Sequence, residues 1–151
     1  MFLTAHSLIA LSSTKFINDP TSLFFVNFFL HYVFDAIPHG KENGIIGGFK
    51  NVNKDLTIFA TIDILFIIIL ICLFASYYNY QLTNIIFAIS GACLPDFLWG
   101  LYRITHWKIF AWADKLNNLA HKIIKIKQNS ILFYSTQLIP IIIFIITFYF
   151  L

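Results

Sequence analysis

The chain has 151 residues, of which 59% are hydrophobic and 11% charged, with a net charge of +3. A typical soluble domain carries roughly 25% charged residues, so ten Lys and Arg with seven Asp and Glu cannot clothe a water-soluble surface of this size. Disorder and nucleic-acid binding are excluded as well, because the chain is rich in apolar residues and its net charge is only +3.

The composition predicts an all-α fold: a single polytopic membrane domain over residues 1–151, with four to five transmembrane helices and one amphipathic interfacial helix. In chain order, the first helix is predicted near 2–17. It is short and dotted with Thr4, His6, Ser7, Ser12, Ser13 and Thr14, so it belongs behind other helices. No Lys or Arg precedes its apolar part, which argues for a retained segment over a cleaved signal peptide. The second helix, near 21–38, follows the breaker Asn18-Asp19-Pro20 and stops at Pro38. Helices near 56–78 and 82–102 are separated by Asn79, Tyr80 and Gln81 and form a tight hairpin. The last, near 130–151, has no ionisable side chain and is the most lipid-like.

Two linkers remain. His39 to Asp55 holds four of the six glycines and reads as a loop. The stretch near 104–127 places Ile104, Trp107, Leu116, Leu119, Ile123 and Ile126 at helical spacing beside Lys108, Lys115, Lys122 and Lys125, the pattern of an interfacial helix anchored by Trp107 and Trp112. Its lysines suit the anionic headgroups of membrane lipids. Six basic residues in 103–129 and three in 39–55, against none in the hairpin turn, orient both linkers to the cytoplasm of a multi-pass inner-membrane protein. Cys72 and Cys93 lack CxxC spacing and read as small core residues.

Inside the apolar spans lie His31, Asp35, Asp63 and Asp96, without a single Lys or Arg. Three Asp near helix centres would cost on the order of 9 kcal/mol on the insertion scale, too much for decoration. Counted from the helix ends, these residues and His6 all fall in the cytoplasmic half. Carboxylates in one apolar layer repel one another and are poorly solvated, so they need protons or a cation. A metal ion is the natural counter-charge. His31 and Asp35, four positions apart, share one helix face. The break at Pro38-His39-Gly40 can return His39 to the same point, and His121 can cap it from the cytoplasmic side. Pro95 leaves the Gly91 carbonyl without its helical donor, and Gly91 lets a neighbouring helix approach closely. The candidate metal ligands are therefore His6, His31, Asp35, His39, Asp96 and His121. Asp63, which has no nearby His, is the candidate catalytic residue, as bridging ligand or general base.

The strings MFLTAHSLIA, LHYVFDAIPHG and GACLPDFLWG resemble those of small bacterial inner-membrane proteins grouped as YdjM-type, membrane-bound, metal-dependent hydrolases. That group is distantly similar to the zinc-dependent phospholipase C and P1 nuclease superfamily, whose helical core binds several metals through His and Asp. The matching pieces are His6, the His31 and Asp35 pair, and Asp96 in Leu-Pro-Asp. Where the group shows an acid and a His after Leu-Pro-Asp, this chain has Phe97-Leu98-Trp99-Gly100, and it contains no HRGxTHS string. The resemblance implies metal-assisted hydrolysis of a phosphoester or other ester in an amphiphilic, lipid-like substrate. Two or more divalent ions, Zn or Mn, would suit a donor set of His and carboxylate without Cys. Two other classes use the same residues: a small cation or proton transporter, and a non-catalytic assembly subunit. The outer halves of the spans offer a transport path little beyond Asn27, Tyr77 and Asn84.

Overall fold

A computed structural model describes residues 2–37, 52–78, 81–124 and 130–150. Among them are six α-helices and no strand: α1 (Leu3–Ser13), α2 (Pro20–Asp35), α3 (Val52–Tyr78), α4 (Leu82–Thr105), α5 (Ala111–Ile123) and α6 (Ser130–Tyr149), with a 3₁₀ turn at Lys108–Phe110. Two of these helices are long and apolar enough to cross a membrane, over Ala60–Tyr77 and Leu82–Thr105.

Local chemistry sets the ends. α1 stops at Ser13, short of the predicted 17, where the Ser13 and Thr14 hydroxyls donate back to the Ala10 and Leu11 carbonyls at 2.7 Å each. Asp19 caps α2 by accepting the Ser22 amide at 2.7 Å, and Pro20 fills the first helical position, where no N–H is needed. α4 runs through Pro95 to Thr105, beyond the predicted 102. His106 ends it in the left-handed region at φ 54°, donating its N–H to Tyr102 at 2.8 Å. This reversal divides the predicted interfacial helix, which begins as a 3₁₀ turn and becomes α5 only at Ala111.

Paired contacts give the directions. Phe2 meets Gln137 and Lys15 meets Thr147, so α1 runs parallel to α6. Asn18 meets Asn84 and His31 meets Ala92, so the segment leading into α2 and α2 itself run parallel to α4. His6 meets Asp35 while Asn27 meets Ser13, which makes α1 antiparallel to α2. α1 and α6 thus run one way and α2 and α4 the other.

α1 lies in the middle, packed by α2, α3, α4 and α6, with no exposed residue between Leu3 and Lys15. Its 11 residues measure about 17 Å, well short of a hydrocarbon core of about 30 Å. Around it an apolar core gathers Leu11, Leu23, Ile67, Phe74 and Ile85, yet large apolar side chains also face outward and polar ones lie inside. Ile62, Leu65, Phe66, Ile69 and Leu73 of α3 and Phe25, Phe29 and Val33 of α2 face outward, while His6, Asn27, His31, Asp35 and Asn84 are buried. Cys72 is exposed, contrary to its reading as a core residue, because it shares the outward side of α3; Cys93 is partly buried and sits 3.5 Å from the Ser7 hydroxyl.

α2 and α4 touch most intimately at Gly91. A Cβ there would lie 2.2 Å from the carbonyl oxygen of Phe24. Only a residue without a side chain permits this approach, as the sequence suggested for this glycine.

Candidate metal centre

The centre forms where the carboxyl-terminal end of α2, the middle of α4 and the amino-terminal half of α1 meet. His31 and Asp35, one turn apart on α2, are buried at 1% and 2% exposure. The adjoining face of α1 brings His6, also 1% exposed, so that the His6 and His31 rings stack with centroids 4.1 Å apart. Asp35 lies between them: Oδ1 is 3.2 Å from His6 Nε2 and Oδ2 is 3.2 Å from His31 Nε2. Asp96, reaching in from α4, places Oδ1 3.6 Å from His31 Nε2.

His31 carries the strongest chemical signal. Its Nδ1 lies 2.8 Å from the Ala92 carbonyl oxygen. A carbonyl can only accept, so Nδ1 holds the proton and donates. In the neutral ring that leaves a lone pair on Nε2, and this nitrogen faces two carboxylates at 3.2 and 3.6 Å. It is buried and makes no hydrogen bond of good geometry among the described residues. Lone pair against anion is repulsive; a cation between them, either a proton or a metal ion, reverses the sign. Donor atoms of His6, His31 and Asp96 lie within 4.8 Å of one another, close enough to share one ion. The Nδ1 bond to a backbone carbonyl is also the usual way a ligating histidine is fixed in tautomer and orientation.

His121 stands at the rim. α5 presents Ala113, Asn117 and Ala120 to the bundle, and this packing holds His121 Nε2 4.0 Å from Asp35 Oδ2 with the side chain 37% exposed. Partial burial pushes the His121 imidazole below its ordinary pKa. On the far side of α5, Trp112, Leu116, Leu119 and Ile123 form an outward apolar stripe. Asp114 joins α5 to α4, accepting Trp99 Nε1–H at 3.2 Å, and also accepts from Asn118 Nδ2 at 3.0 Å.

Of the residues predicted from sequence, the structure brings His6, His31, Asp35 and Asp96 together and sets His121 at their edge. His39 lies outside the described residues. Asp63 does not join the histidines: its carboxylate is taken up by the Leu3 and Thr4 amides and the Thr4 hydroxyl. The carbonyl that orients His31 belongs to Ala92, one residue beyond the one singled out from Pro95. Nothing in a linear reading marked Ala92 as a partner.

No protein-family model, curated protein or solved structure matches this chain.

Proposed function

We propose that the chain is a polytopic membrane metalloprotein of the YdjM-type hydrolase kind, holding divalent zinc or manganese between His6, His31, Asp35 and Asp96 and hydrolysing an ester of an amphiphilic phosphate-bearing substrate. The observation that carries this reading is the buried Nε2 of His31, which makes no hydrogen bond of good geometry among the described residues and is aimed at two carboxylates beside a second imidazole. The outward apolar side chains of α2 and α3 support the membrane setting. α2, α3, α4 and α6 form the spans, α1 is enclosed among them, and α5 lies on the cytoplasmic interface with Lys108, Lys115 and Lys122 near the headgroups.

A bound divalent ion would supply an acidified water and polarise the ester oxygen. The protein's own residues do the rest. Ala92 fixes the tautomer of His31 through Nδ1, so that Nε2 is always the ligating atom. Asp35 sits between both imidazoles and holds them at one height. Asp96 is the more open of the two carboxylates, its side chain 20% exposed against 1% for Asp35, and faces the approach to the site. His121 at the rim can exchange a proton with a leaving group or bind a phosphate oxygen.

Metal analysis of the detergent-purified protein tests this directly. Stoichiometric zinc or manganese in the wild type, lost from Asp35→Ala and Asp96→Ala, is the expected result, with turnover of a short-chain chromogenic phosphodiester that the same variants abolish. Equal metal content in all three proteins would remove these residues from the centre.

A further inference from the structure

α3 reaches the amino end of α1 with a carboxylate. Asp63 accepts the Thr4 amide at 3.1 Å through Oδ1, which also takes the Thr4 hydroxyl, and accepts the Leu3 amide through Oδ2. The first N–H groups of a helix have no acceptor within it. The residue that precedes α1 is Phe2, whose side chain offers none. An acid from another helix therefore does the capping, in a favourable position against the positive end of the helix dipole. These donors also explain how Asp63 is tolerated in an otherwise apolar helix: both oxygens are engaged.

His6 follows Leu3 by three residues, less than one turn along the same rigid rod. Its position over His31 is therefore set by where Leu3 and Thr4 are held. The apolar residues of α1 cannot set this rotation by themselves, since the helix is enclosed on every side. Slipping by one residue would turn His6 through about 100° and take its ring out of the stack with His31.

We propose that Asp63 is the positioning residue of the centre: by capping α1 it fixes the register that places His6 against Asp35 and His31. This rests on the reading of those residues as a metal centre, and it assigns Asp63 a role other than base or ligand.

The test uses the full-length protein in lipid nanodiscs, with Asp63→Ala, Asp63→Asn, His6→Ala and the double variant Asp63→Ala/His6→Ala. The first readout needs no metal. In protein labelled with ¹⁵N-histidine, Asp63→Ala is expected to shift the His6 ring resonances, identified by their loss in His6→Ala. Asp63→Asn, which retains an acceptor for the amides, should shift them less. The second readout is zinc titration. Asp63→Ala should weaken binding by about tenfold or more, as loss of a supporting partner of a metal ligand does, and Asp63→Asn by less. Without His6 the effect should vanish, the double variant matching His6→Ala within about twofold, since the two substitutions act through one path.

Unmoved His6 resonances in Asp63→Ala would overturn the proposal, as would a loss of affinity that adds in full to that of His6→Ala. A wild-type protein that binds neither zinc nor manganese, while the His6 shift is observed, would remove the metal centre and leave the positioning role supported. If Asp63→Ala does not fold, the Asp63→Asn and Thr4→Val pair decides: resonances displaced in either support the proposal, and resonances fixed in both end it.

Discussion

Replacing Gly91 with Ala gives the sharpest test of how the helices assemble the centre. The added Cβ would sit 2.2 Å from the Phe24 carbonyl oxygen, 2.9 Å from its carbon and 3.0 Å from its Cα. All three are backbone atoms, so no side chain can swing aside. Restoring a normal separation of about 3.5 Å requires α2 to retreat by about 1 Å. His31 sits about two turns further along α2. The same retreat would stretch its 2.8 Å bond to Ala92 beyond hydrogen-bonding range and widen the 3.6 Å gap to Asp96. Metal sites tolerate ligand displacements of about 0.2 Å, so zinc affinity should fall at least about tenfold. Overpacking costs about 1–3 kcal/mol, against a helix-propensity gain of up to about 1 kcal/mol for Gly to Ala, which leaves a net loss of stability. Gly100 on the same helix supplies the control, because a Cβ there meets nothing within 4 Å. Gly100→Ala should keep zinc affinity and raise the unfolding temperature slightly. Isothermal titration with zinc and thermal unfolding in one detergent would compare the two. Wild-type affinity in Gly91→Ala would refute the claim that α2 and α4 approach on this glycine to build the site.

Asp19 caps α2 through Ser22, and this hydrogen bond holds its carboxyl below the ordinary range. A depressed folded pKa contributes stability above the unfolded value of about 3.9 and loses it as the pH falls through the folded value. Asp19→Ala should therefore flatten the acid limb of the unfolding curve below about pH 4 while leaving the neutral limb parallel to the wild type; an unchanged acid limb would discount the cap. Asp114→Ala removes the acceptor shared by Trp99 and Asn118, a loss of about 1 kcal/mol or less for such partly exposed bonds. Tryptophan emission should change and hydrogen exchange along α5 should rise, whereas wild-type exchange would show that α5 is held by other contacts.

Much of the fold was legible in the sequence because long apolar helices follow from composition over windows of about 20 residues, and their ends from local signals. Asn18-Asp19-Pro20 predicted the start of α2, and Asp19 caps it. Local signals failed where tertiary geometry intervened. α1 read as a helix near 2–17 lying behind other helices; it is enclosed, but only 11 residues long, because serine and threonine hydroxyls close it early on its own carbonyls. The interfacial segment read as one helix and is divided by a left-handed His106, a conformation that its neighbours in sequence do not announce.

The sequence by itself determined which residues to examine together: His31 and Asp35 share a helix face by spacing alone, and ionisable groups in an apolar chain are too costly to leave unexplained. Depth along each helix further placed His6 and Asp96 at the same level. Which of these groups turn toward one another is a matter of helix rotation and approach, and that is set by contacts between distant segments. The tertiary structure alone decided that Ala92 orients His31, that Phe24 and Gly91 meet backbone to backbone, and that Asp63 faces the amino end of α1 instead of the histidines. A linear pattern fixes the face and depth of a side chain on its own helix, but its partner depends on how the helices are rotated in the bundle.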